Sequence, residues 1–172
     1  MAAASSFPPE KVRSIVGEVS ALLKERKETV CVAETAAGGI ISAALLATPG
    51  ASAFYIGGLT LYTLESRIAY AGWTQENLKG YNGPNPAIVS GMASHVRGTL
   101  KATYCISESG TAGPGAGKTP VGYVALAVAT ESGTYTKELT TGLGGDREAN
   151  MVQFAVEGLV LLRDVIKGDA KL

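Results

Sequence analysis

The chain has 172 residues, 46% hydrophobic and only 17% charged, which fits a single domain (1–172) that buries its own core without disulfide or metal staples. Fifteen basic residues balance fifteen acidic ones, so a general electrostatic grip on nucleic acid or an anionic membrane is excluded. Two cysteines and one histidine exclude a disulfide framework, a four-thiolate zinc site and a multi-histidine metal centre, and leave little material for a Ser-His-Asp triad.

No apolar run approaches the ~18 residues of a membrane span. Met1 to Ser6 lack the basic and apolar regions of a signal peptide. The expectation is a cytoplasmic protein with no membrane or nucleic-acid partner. The low charged share also points to covered subunit interfaces, hence a homo-oligomer. Cys31 and Cys105 sit in apolar runs and read as buried, inert thiols.

In chain order, Pro8 and Pro9 open a first helix whose Val12, Ile15, Val16, Val19, Leu22 and Leu23 recur at helical spacing. Thr29 to Ala33 is a strand. It runs into Glu34-Thr35-Ala36-Ala37-Gly38-Gly39, and Ile40 to Ala47 is helical until Thr48-Pro49-Gly50. Phe54 to Tyr62 is a second strand, with Gly57-Gly58 marking a bulge or a close backbone approach. Thr63 to Ala71 is a short helix, and 73–86 is irregular. Ile88, Val89, Met92, Val96 and Leu100 define a third long helix, on which His95 is a surface or partner-contact residue. Tyr104 to Ile106 is a strand that empties into the loop Ser109 to Lys118. Val121 to Thr130 and Tyr135 to Thr140 form a hairpin, and Asp146 caps a final helix. The fold class is α/β: a three-layer αβα sandwich with a mixed, mostly parallel sheet and a C-terminal β-hairpin followed by a helix.

Glycine counts 22 of 172, and much of it gathers at three junctions where strands end. In open α/β sheets ligands sit beyond the carboxyl ends of the strands. Glu34 to Gly39 precedes a helix, Ser109 to Lys118 joins hydroxyls with an ammonium, and Gly144 to Arg147 opens a helix beside a guanidinium. Together they read as a pocket for a small phosphorylated or carboxylated ligand. Ala112 to Thr119 nearly spells a phosphate-binding P-loop. That mechanism needs a helix directly after the lysine, and Pro120 with the strand after it denies one. No cofactor and no metal is indicated.

Without histidine, a nucleophile must be a hydroxyl activated by other means. Thr35, Thr63, Ser109 and Thr111 lie near the junctions. Tyr62 can relay a proton, and Arg67, one turn beyond Thr63, can hold an anion but cannot act as a base. Bland alternatives stand beside these: Thr35 as a helix cap, Tyr62 as a packed aromatic, Glu34 in a salt bridge.

Five segments carry a resemblance. Ala33 to Gly39 resembles the Ala-Glu-Ser-x-Thr-Gly-Gly motif of the CinA C-terminal domain family, the nicotinamide mononucleotide deamidases. Tyr62 to Arg67 is similar to its Tyr-Ser-Asn-x-x-Lys segment, and Ser109 to Pro114 to its Ser-Gly-Ile-Ala-Gly-Pro loop. Lys118 to Gly122 resembles its Lys-Pro-Val-Gly, and Gly145-Asp146-Arg147 its Gly-Asp-Arg. The likeness covers nearly the whole chain, in order and at compatible spacing. It implies a three-layer α/β fold, often dimeric, and hydrolysis of a nucleotide's carboxamide to the acid plus ammonia by serine, lysine and tyrosine. The sequence departs from that pattern at the motif serine (Thr35), the motif threonine (Ala37) and the lysine (Arg67).

Carried onto this chain, the resemblance implies catalytic roles for Thr35, Tyr62, Thr63 and Arg67, with either threonine as nucleophile. It implies ligand contacts from Glu34, Gly38, Gly39, Ser109, Gly110, Thr111, Gly113, Lys118 and Arg147. In this reading the Ser109–Gly113 backbone holds an oxyanion, and the arginines with the Gly38-Gly39 helix start hold a phosphate. Two functions stay open: an active amidohydrolase, or a family member with altered chemistry that binds a phosphorylated small molecule or acts on another substrate.

Overall fold

A computed structural model describes residues 7–115 and 117–171. Met1 to Ser6, Ala116 and Leu172 lie outside the described residues. Five strands form one sheet in the order β2-β1-β3-β4-β5: β1 (Val30–Glu34), β2 (Tyr55–Thr60), β3 (Tyr104–Gly110), β4 (Tyr123–Ala129) and β5 (Thr134–Thr140). β1 pairs parallel with both β2 and β3, and β4 pairs antiparallel with β3 and β5. Four strands therefore share one direction, and β4 alone opposes them.

Helices cover both faces, and the sequence alternation decides which residue faces which layer. On one face α1 (Glu10–Arg26), α2 (Ile40–Leu46) and α6 (Arg147–Lys167) pack over Val30, Val32, Ile106, Val124, Leu126 and Val128. On the other, α5 (Pro86–Leu100), with α3 (Leu64–Tyr70) and the single turn α4 (Gln75–Leu78), packs over Cys31, Ala33, Cys105, Ala125, Ala127 and Ala129. Small side chains on this second face let a helix backbone approach the sheet closely. Cys31 and Cys105 face each other in register there, fully buried, and burial pushes the Cys105 thiol well up. Among the described residues no helix is long and apolar enough to cross a membrane.

Local side-chain caps open a long helix on each face. Asn85 caps α5 by accepting the Ile88 N–H at 3.0 Å, and Asp146 caps α6 by accepting the Ala149 N–H at 3.1 Å. The glycine pair in β2 serves both suggested purposes. The register against β1 shifts between Val30 and Cys31, opposite Tyr55 and Gly57. Gly58 is the close approach, since a Cβ there would lie 2.4 Å from Ser42 Oγ. His95 is exposed and lies against Gly72.

Two elements differ from the sequence reading. β3 runs on through Ser107, Glu108, Ser109 and Gly110, which pair with Ala127 to Val124 of β4. Three polar residues in a row conceal a strand whose polar groups are buried rather than solvated. The 73–86 stretch also contains α4, capped by Thr74 and Asn77. Lys118 leads into a strand, not a helix, so no P-loop forms.

Candidate active site

The carboxyl ends of β2, β1 and β3 open into a cleft of about 330 Å³. Thr35 follows β1, Ser109 and Gly110 close β3, and Tyr62, Thr63 and Arg67 come from the β2–α3 junction and α3; all six line it. Thr35 is buried and its hydroxyl donates to Ser109 Oγ at 3.2 Å. Thr63 is exposed, and its Oγ1 accepts the Ser66 N–H at 3.2 Å as the N-cap of α3. Arg67 is buried although charged. Its Nε donates to the Leu61 carbonyl at 3.3 Å and Nη1 to the Tyr81 hydroxyl at 3.2 Å. The guanidinium also lies 5.3 Å from the Trp73 ring centroid and 5.9 Å from that of Tyr81.

The third junction reaches the rim. Arg147 donates to the Gly113 carbonyl at 2.7 Å, and its Nη2 lies 3.5 Å from the hydroxyl of Tyr62, a residue 63% exposed. Gly113 has φ +90, and a Cβ there would lie 2.6 Å from Val121. Thr111 and Lys118 line an adjoining cleft of about 290 Å³ that shares Tyr81 and Pro84 with the first. The Lys118 ammonium donates to Asn82 Oδ1, and the Thr111 and Thr119 hydroxyls are bonded. Larger hollows lie beside Trp73 and His95, about 540 Å³, and beside Arg97 and Lys101, about 680 Å³. The smaller cleft is the candidate because hydroxyls and a guanidinium from three strand ends converge there.

Three of the expected contacts have other partners in the fold. Glu34 does not line the cleft. Fully buried, its Oε2 accepts the Gly39 and Ile41 N–H groups at 3.1 and 3.0 Å, and its Oε1 accepts the Ser42 N–H and hydroxyl at 2.8 and 2.7 Å. The chain's own carboxylate therefore fills the anion position at the start of α2, so Gly38 and Gly39 do not offer that helix end to a phosphate. The Ser109–Gly113 backbone is also only partly available to an oxyanion. Ser109 and Gly110 lie in the β3–β4 ladder, and the Thr111 N–H donates to the Tyr123 carbonyl at 2.8 Å.

Two residues that sequence reasoning passed over organise the site. Glu108 Oε1 accepts the Thr35 and Ala37 N–H groups. Its only sequence signal is an acid inside a buried strand. Asn150 is fully buried on α6, and its Nδ2 donates to the Ala112 and Gly144 carbonyls, both at 2.9 Å. One amide thus ties the second junction to the third. A buried asparagine one turn into an amphipathic helix was the available sign. Among the described residues no group of three or more His, Cys, Asp or Glu side chains is placed to hold a metal.

A five-stranded αβα sandwich with hydroxyls gathered at its strand ends defines the class, and comparison supplies the family. The model of the CinA C-terminal domain matches residues 12–166, and the chain belongs to that family. It is 38% identical over 127 residues to a CinA-like protein of Shewanella piezotolerans, covering 73% of this chain and 30% of that one. It is 36% identical over 155 residues to a CinA-like protein of Prochlorococcus marinus, covering 89% and 36%. The chain thus spans about a third of the length of these curated relatives. A competence-damaged protein (CinA) superfamily structure from Klebsiella pneumoniae superposes with a TM-score of 0.85 at 26% identity, over 91% of this chain and 98% of that one. The competence damage-inducible protein A from the same species gives 0.83 at 28%, over 89% and 95%.

Proposed function

We propose that the cleft hydrolyses the carboxamide of nicotinamide mononucleotide, or of a related small nucleotide, to the acid plus ammonia. The observation that carries this is the buried Thr35 hydroxyl, bonded to Ser109 on the floor of a cleft walled by Arg67 and Tyr62. Thr35 rather than Thr63 is the nucleophile, because Thr63 Oγ1 already caps α3. Thr35 Oγ1 attacks the carbonyl carbon, and its proton passes through the Ser109 hydroxyl to the carboxamide nitrogen. Ammonia departs from a threonyl ester, and water then gives the acid and restores the hydroxyl. The Arg67 guanidinium has five N–H donors; those not given to Leu61 and Tyr81 polarise the carbonyl oxygen. With the start of α2 occupied by Glu34, the phosphate falls to Arg147 and Lys118. The working unit is a homo-oligomer.

One observation favours a second reading, a ligand-binding protein without turnover. Arg67 is committed to two oxygens and two aromatic rings and, as a guanidinium, takes up no proton near neutrality. The two readings separate in one experiment. Incubated with nicotinamide mononucleotide, the parent releases ammonia and Thr35→Ala slows release by about 10²–10⁴-fold. Binding by calorimetry with no ammonia from the parent or from Arg67→Lys would establish the second reading instead.

A further inference from the structure

Glu108 has no part in the chemistry described so far. It is fully buried, and its Oε1 accepts the Thr35 N–H at 2.7 Å and the Ala37 N–H at 2.6 Å. These are shorter than the ~2.9–3.0 Å usual for neutral N–H···O bonds and lie at the short end of charge-assisted ones. Its Oε2 is buried with no hydrogen-bond partner. A buried oxygen left unpaired costs stability, so the arrangement is not one that stability alone favours. The next residue on β3 is Ser109, which accepts the Thr35 hydroxyl. Successive strand residues point to opposite faces. Glu108 therefore holds the Thr35 turn by its backbone from behind, while Ser109 holds its hydroxyl from the cleft.

We propose that Glu108 is the positioning residue of the Thr35 turn, and that gain or loss of its proton switches the turn between a slack and a taut arrangement. Its catalytic consequence rests on the amidohydrolase reading; the switch itself does not. Ionised, the carboxylate draws both N–H groups in with charge-assisted bonds. Protonated, it holds them with bonds about half as strong. The charged groups acting on it are Glu34 on β1 and Arg67 on α3. Opposite it on β4 stands Leu126, α2 carries no titratable side chain, and the residues buried from the first turns of α6 are Asn150, Phe154 and Ala155. Burial pushes the Glu108 carboxyl up to about 7, with the two N–H bonds opposing, which puts the switch in the neutral range.

The test is an NMR titration of the full labelled chain from about pH 5 to about pH 9, paired with ammonia-release kinetics. The Thr35 and Ala37 amides report Glu108, whereas the Gly39, Ile41 and Ser42 amides report Glu34, to which they are bonded. Thr35 and Ala37 should move together, with the midpoint of the Glu108 carboxyl carbon, and Glu108→Gln should abolish that step. With nicotinamide mononucleotide, the parent's kcat should rise through the same midpoint at unchanged KM. The variant should be flat with pH and about tenfold below the parent's upper plateau. Thr35 and Ala37 amides that stay still, or that follow the Glu34 step, overturn the proposal. So does a rate profile that ignores an amide step that is present. An intact amide step with no ammonia from any form instead overturns the amidohydrolase reading and leaves the positioning role standing. Should Glu108→Gln not fold, the parent's amide titration decides alone.

Discussion

Two glutamates lie near the carboxyl ends of adjacent parallel strands and are buried, Glu34 among four donors and Glu108 between two. Burial raises both carboxyls, Glu108 from 4.5 to about 7. The sign follows from linkage. A carboxyl that binds its proton more tightly folded than unfolded stabilises the fold fully below about 4.5, and that contribution is lost as the pH rises through about 7. The melting temperature of the parent should therefore fall by several degrees between about pH 5 and about pH 8. Glu108→Gln should remove most of this slope. Parallel melting curves for the two proteins across that range would show that the Glu108 carboxyl contributes no pH dependence there and would overturn the assignment. The ionised form, which tightens the Thr35 turn, is thus the less stable one, a familiar exchange of stability for a poised site.

At the scale of elements, the two faces of the sheet are built on different rules. β4 presents Val124, Leu126 and Val128 to α6 and its neighbours, but Ala125, Ala127 and Ala129 to α5. α5 is therefore set by shortness of side chain, and enlarging one residue should lift it. Ala127→Leu should destabilise by about 1–3 kcal/mol in urea unfolding, whereas Lys137→Leu on the edge strand β5 should change stability by less than about 1 kcal/mol. Equal effects would mean that α5 packs loosely on the sheet. The long helices were legible in the sequence because their apolar periodicity is local, as is the Asp146 cap, whereas the single turn α4 and the Asn85 cap of α5 were not read there. The end of β3 was not legible. Ser107, Glu108 and Ser109 look like the start of a loop until β1 and β4 flank them and the turn after β1 supplies the N–H groups that Glu108 needs.

Over the whole molecule, the convergence of three glycine-rich junctions was legible, because strand ends of one sheet must lie together. Thr35 meets Ser109, and Arg147 meets Tyr62 and Gly113. The occupancy of the α2 N-terminus was not legible. Glu34 stands five residues before Gly39, and only the turn between them folds its carboxylate back onto the helix. This moves the expected phosphate contact from the first junction to the other two. The chain carries no net charge, so on the proposed reading capture of a nucleotide depends on local cations rather than on a long-range field. Replacing both Arg147 and Lys118 by glutamine should weaken nicotinamide mononucleotide binding by about 10–100-fold in calorimetry, the loss of two charge-assisted contacts. Binding of the same compound without its phosphate should change less than about threefold, since Arg67 and the Thr35–Ser109 pair are untouched. Equal losses for the two compounds would show that the two cations shape the rim rather than hold the phosphate, Arg147 through its bond to the Gly113 carbonyl.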